Sequence, residues 1–121
     1  MRRITLQDLD DLALGAAVLG TGGGGDPYIG KLTAKAAMRK YGDVGVIDLS
    51  DLTDDDLVVP AAMMGAPTVM VEKLPRGDEI VHAFEGLQSY LGRPIRAVTP
   101  IEAGGLNSTT PFIVAAPPRH P

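Results

Sequence analysis

Leu19-Gly20-Thr21-Gly22-Gly23-Gly24-Gly25-Asp26-Pro27-Tyr28 decides the fold, because what this glycine run joins determines what it can be. Upstream of it, Leu6, Leu9, Ala13 and Ala16 recur at helical spacing, with Asp10 and Asp11 facing away and Thr5 and Asp8 at capping distance. Leu and Ala suit a helix, and Val18 is the only β-branched residue there, so residues 6–19 are predicted to form an amphipathic helix. Downstream, Asp26 is an N-cap and Pro27 occupies the first helical position, where its missing N–H costs nothing. This second helix is predicted to reach about Tyr41, with Gly42 as its stop. Ile29, Leu32 and Ala36 are expected on its buried side, and Lys31, Lys35 and Arg39 form a solvated basic stripe.

Beyond Gly42, Val44 to Leu49 reads as a strand and Asp51 to Asp56 as an acidic turn. Leu57 to Met63 is a second strand, which Pro60 confines to an edge or a bulge. Val69 to Leu74 reads as a third. Pro75-Arg76-Gly77 then turns the chain into a helix from Asp78 to Leu91, with Ile80, Phe84, Leu87 and Leu91 as its apolar seam and Gly92 closing it. Ile95 to Ile101 is the next strand, and Asn107-Ser108 opens a short apolar element through Ala116. The expected class is α/β or α+β: a mixed sheet of about four short strands with three to four helices, the N-terminal part of a larger fold.

At 121 residues, the chain has room for one domain, and 45% hydrophobic residues suffice for a core. A net charge of −4 and 4% aromatic residues remove both the electrostatic attraction and the stacking surfaces that nucleic-acid binding uses. No Cys is present, which excludes disulfides and thiol nucleophiles, and the two His (His82 and His120) do not suggest a zinc site. Asp8, Asp10 and Asp11 interrupt any signal core, and no apolar run reaches the ~20 residues of a membrane span, so a cytoplasmic setting without membrane partners is expected. Asp54-Asp55-Asp56 lacks the Gly and Glu of a calcium loop and reads as a solvated turn.

Three readings of the glycine run compete. Gly20-x-Gly22-x-x-Gly25 has dinucleotide-binding spacing, with Asp48 near the position of a ribose-binding acid, but that motif needs a strand at residues 12–19. A P-loop has no Gly-Lys-Ser/Thr triplet here. In the third reading, amides of the run and the start of the following helix converge on an anionic or carbonyl oxygen. A flexible connector is the plain alternative, but four consecutive glycines are entropically expensive for that purpose.

Glu102-Ala103-Gly104-Gly105-Leu106-Asn107-Ser108 is a second constellation: a carboxylate at a strand end, a glycine pair and an N-cap. Glu102 could deprotonate or orient a substrate and Asn107 could bind a carbonyl, although an ordinary capped turn explains the same residues. Glu72 is either a buried strand acid or a surface partner of Lys73 or Arg76.

Taken in order, residues 19–28, Met64-Gly65-Ala66-Pro67-Thr68-Val69 with Glu72-Lys73, and Pro100 to Ser108 resemble the N-terminal domain of the S-methyl thiohydantoin desulfurase-like family, whose members are often described as hydantoinase-like. The resemblance implies a domain over residues 1–116, with 117–121 as a tail unlike the family's continuation into further strands and a second domain. It implies a hydrolase that removes a thiol from a hydantoin or thiohydantoin ring. Glu102 and Asp26 are the expected catalytic carboxylates. Thr21, Gly22, Gly23, Gly24 and Gly25 would bind substrate oxygen, with Gly65, Glu72, Gly105, Asn107 and Ser108 completing the substrate site. No metal ligand is expected, and the cofactor is left open. A homo-oligomer, or dependence on a missing C-terminal domain, is expected, and a non-catalytic truncated remnant is the alternative to an active domain.

Overall fold

The structure is a computed structural model that describes residues 1–73 and 75–118. Its first helix begins where the sequence places the brace: the Thr5 amide and hydroxyl both donate to the Asp8 carboxylate, at 2.8 and 2.7 Å. Helix α1 (Asp8–Gly20) buries Leu9, Ala13 and Ala16. Just before it, Arg2–Ile4 form β1, antiparallel to β2 (Val44–Val46), with Ile4 and Val44 buried. The sequence reading missed β1, because three residues beginning with two exposed arginines show no alternation to detect.

Helix α2 (Pro27–Tyr41) starts and stops by local chemistry. The Asp26 carboxylate accepts the Tyr28 amide at 2.9 Å, and Gly42, at φ 103°, donates its amide to the Met38 carbonyl at 2.8 Å. Its buried face corrects the expectation: Gly30, Ala34 and Met38 point inward, whereas Leu32 is 46% exposed and Ala36 is also exposed. The reason is close approach. α2 lies on a 3₁₀ turn at Leu106–Ser108, and a Cβ on Gly30 would fall 3.0 Å from the Leu106 Cα, so this face must carry small residues. Lys31 and Lys35 do not form a free stripe either. Both reach Asp10 on α1, at 3.2 and 2.7 Å, and tie the two helices together.

β2 ends at Val46, short of Leu49, because Asp48 and Asp51 brace a 3₁₀ turn at Leu49–Asp51. β3 (Val58–Ala61) pairs in parallel with β4 (Ala97–Pro100), in register from Val58↔Ala97 to Ala61↔Pro100. Pro60 is tolerated because β3 has one strand neighbour. The strand expected over Val69 to Leu74 is instead a helix, α3 (Pro67–Glu72), with Leu74 outside the described residues. Pro67 opens this helix, and the β-branched Val69 and Val71 are exposed, with no sheet to realise their strand preference.

The turn leading into helix α4 (Glu79–Leu91) is closed by the helix's first residue: the Glu79 carboxylate accepts the amides of Arg76 and Gly77 at 3.0 and 2.9 Å. Ile80 is buried and Phe84 half-buried, but Leu87 and Leu91 at the far end of the seam are exposed. The short helix α5 (Thr110–Ala115) occupies the centre. Its Phe112, Ile113 and Val114 join Ile4, Leu9, Ala34, Met38, Val44, Ala61 and Ile80 in one apolar cluster.

The fold is therefore mixed α/β, with five α-helices and four short strands among the described residues. The strands divide into an antiparallel and a parallel pair. No helix among the described residues is long and apolar enough to cross a membrane. Of the predicted tail, Pro117 and Pro118 are described, while Arg119 to Pro121, with His120 among them, lie outside the described residues.

Candidate functional site

The two glycine-rich segments, some eighty residues apart in sequence, are packed backbone to backbone. At the end of α1, Thr21 adopts a left-handed conformation (φ 46°, ψ 38°), and the Gly23 amide donates to the Gly20 carbonyl at 2.7 Å to close a tight turn. Against this turn lies the segment following β4. The amides of Gly105, Leu106 and Asn107 donate to the carbonyls of Ala16, Gly25 and Gly24, at 3.0, 3.2 and 3.0 Å. A Cβ on Gly20 would sit 2.8 Å from the Gly105 nitrogen, and one on Gly104 would sit 2.5 Å from the Gly20 Cα. Much of the glycine run thus has a packing reason. Gly22 is different: it is exposed at φ 94°, and a Cβ there would meet nothing within 4 Å. The amides of Gly22, Gly24 and Gly25 find no acceptor among the described residues.

Glu102 leans over this turn, its Oε1 close enough to lie 3.2 Å from a Cβ built on Gly24. The Asn107 side-chain amide holds that carboxylate, donating from Nδ2 to Oε1 at 2.8 Å. The other end of the same side chain accepts the Met63 amide at 2.8 Å, so buried Asn107 links the end of β3 to Glu102. The Ser108 hydroxyl accepts the Gly104 amide at 2.6 Å and closes the second loop.

Glu102, Asn107, Ser108, Gly105 and the glycine run are thereby brought together. Asp26 and Thr21 flank the group, both exposed, with Asp26 engaged in capping α2. Gly65 and Glu72 are exposed on and before α3, and no hydrogen bond or ion pair joins them to this turn among the described residues. The sequence reading passed over Thr109 and Thr110. Both are fully buried and donate their hydroxyls to the Leu106 carbonyl, at 2.8 and 3.3 Å, which fixes the 3₁₀ turn carrying Asn107. A run of hydroxyl residues directly after Asn107 was their only signal.

The dinucleotide alternative is overturned. Residues 8–20 are helical, so the glycines join helix to helix, and Asp48 is engaged in bracing the Leu49–Asp51 turn. Three clefts lie elsewhere: about 920 Å³ between β2 and β4, about 690 Å³ beside α4, and about 510 Å³ between α2 and α4. Of the site residues, Ser108 alone reaches one of them, the cleft between β2 and β4. No group of three or more His, Cys, Asp or Glu among the described residues could hold a metal ion. Chemically, the arrangement offers a positioned carboxylate beside backbone donors, on a surface turn.

The model of the family described as S-Me-THD-like, N-terminal domain matches residues 7–121. No curated protein and no solved structure matches the chain.

Proposed function

The chain belongs to the S-Me-THD-like N-terminal domain family, and on that footing we propose that it is the substrate-binding portion of a hydrolase acting on hydantoin- or thiohydantoin-type rings. The observation that supports this reading most directly is the Glu102 carboxylate held by Asn107 above Gly24, next to amides with no acceptor among the described residues. A hydantoin-type ring presents carbonyl oxygens and an acidic N–H, which suit backbone donors and a carboxylate respectively.

In the proposed reaction, water adds to the ring carbon that bears the sulfur. Glu102 accepts one water proton as the C–O bond forms and returns it to sulfur as the C–S bond breaks. The second water proton ends on ring nitrogen, so a thiol leaves and a ring carbonyl remains. The amides of Gly22, Gly24 and Gly25 would receive the negative charge that develops during addition, and Asp26 would hold the turn in place by capping α2. The proposed setting is a cytoplasmic protein with a small-molecule substrate, self-associated or completed by a further domain. Exposed Leu14, Val18 and Leu19 on α1 suit such a contact.

Thermal unfolding with a panel of hydantoins and S-alkylated thiohydantoins tests the reading, since a ligand that binds only the folded state raises the melting temperature. A rise with a ring ligand, reduced at least tenfold in affinity by Glu102→Gln while the unliganded melting temperature stays put, is the expected result. No shift with any ring ligand at millimolar concentration would sink it.

A further inference from the structure

The side-chain amide of Asn107 has only one workable orientation. The Met63 backbone N–H can only donate, so the oxygen end of that amide must face it, at 2.8 Å. An ionised carboxylate can only accept, so the nitrogen end must face Glu102, where Nδ2 donates to Oε1 at 2.8 Å. Neither contact survives a flip of the amide. Asn107 is also buried, on the 3₁₀ turn that the Thr109 and Thr110 hydroxyls fix, so it has little room to follow a moving carboxylate.

Glu102 is anchored from its backbone end as well. The Ile101 amide donates to the Ala61 carbonyl at 3.3 Å, which carries the β3–β4 pairing up to the residue before Glu102. From there the exposed Glu102 side chain reaches the glycine turn, with Oε1 3.2 Å from the point that a Gly24 Cβ would occupy. Oε1 is therefore bounded by Asn107 and by Gly24, whose missing side chain leaves the room. Oε2 accepts no hydrogen bond among the described residues.

We propose that Oε2 of Glu102 is the atom that takes the water proton and returns it to sulfur, and that Asn107 is a positioning residue acting through Oε1 instead of binding a ring carbonyl. This rests on the hydrolase reading above and assigns its proton transfer to one atom. The division of labour is chemical: an oxygen whose lone pair already accepts an amide is the poorer proton acceptor, and the free oxygen on the same carbon is the better one. Holding Oε1 keeps Oε2 in place as water adds, and a displacement of about 1 Å at such a group can cost about a hundredfold in rate.

Asn107→Asp tests the proposal, because it keeps the oxygen toward Met63 and turns the donor toward Glu102 into a second carboxylate oxygen. Adding Glu102→Gln restores a donor–acceptor pair with its direction reversed. The substrate is an S-methylated thiohydantoin, and the methanethiol released is read with a thiol reagent, since the chain has no Cys to interfere. At neutral pH, Asn107→Asp should lower the melting temperature and reduce kcat at least tenfold, with KM within twofold of the parent. The double variant should regain the parent's melting temperature and still release no thiol. Three results would overturn the proposal: a raised KM with kcat intact, which makes Asn107 a ring contact; unchanged kinetics and melting temperature in Asn107→Asp; or no recovery of the melting temperature in the double variant. No thiol release from the parent would instead overturn the reaction, and the part of Oε2 in it, while the melting temperatures still decide whether Asn107 holds Glu102.

Discussion

Asn107 is 5% exposed and commits both ends of its side-chain amide, to the Met63 amide and to the Glu102 carboxylate. Asn107→Ala should therefore cost about 1–3 kcal/mol, because it leaves a buried donor without a partner; urea denaturation measures this. The glycines permit a sharper comparison. Gly20→Ala drives a methyl group to 2.8 Å from the Gly105 nitrogen, a backbone atom that cannot swing aside, and should separate the two glycine segments. Gly22→Ala meets no neighbour and incurs only the strain of its positive φ, on the order of 1 kcal/mol. A melting temperature lowered several times more by Gly20→Ala than by Gly22→Ala is expected; equal effects would refute the packing role assigned to Gly20. The local function of these residues was legible in the sequence: a capping Asp26, a helix-opening Pro27, a carboxylate after a strand. That Gly20 and Gly104 answer each other was not, since their steric need arises from a contact across the whole chain and leaves no periodic trace nearby.

Among the elements, α1 and α2 are joined by Asp10 with Lys31 and Lys35. The hydrogen bond from Lys35, then that from Lys31, holds the Asp10 carboxyl below its ordinary value of 3.8. A depressed carboxyl contributes stability that is present above the ordinary value and lost as pH falls through the lowered one. Asp10→Asn should thus lower the urea midpoint slightly at about pH 7 and make no difference at about pH 2. Asp10 is half exposed, so the effect should shrink with added salt. A difference that persists in strong acid would show that Asp10 acts by something other than its charge. The ends of α2 were readable because caps are local. Its buried face was not: helical spacing offered Ile29 and Leu32, but the tight approach of the Leu106–Ser108 turn selects Gly30 and Ala34. α3 was misread for a related reason. Val69 and Val71 prefer strands, but that preference needs a neighbouring edge, and the Pro67 helix start prevailed where none was available.

At the scale of the molecule, the two sheets share no strand, and α5 shares one apolar cluster with both. It packs against β3, β4, α2 and α4, while its Phe112, Ile113 and Val114 sit in the same cluster as Ile4 and Val44 from β1 and β2. Removing one large side chain from so short a helix should be felt everywhere at once. Phe112→Ala is expected to cost about 3–5 kcal/mol, a large part of the roughly 5–15 kcal/mol that holds a domain together. Tyr90→Ala, which truncates a ring that is 87% exposed, should stay within about 0.5 kcal/mol of the parent. The decisive readout is coincidence. If α5 joins the two halves, amide signals from β1–β2 and from β3–β4 in Phe112→Ala will still lose intensity along one urea curve, shifted to lower denaturant. Separate midpoints for the two sheets would mean that each carries its own stability and that α5 merely fills the space between them.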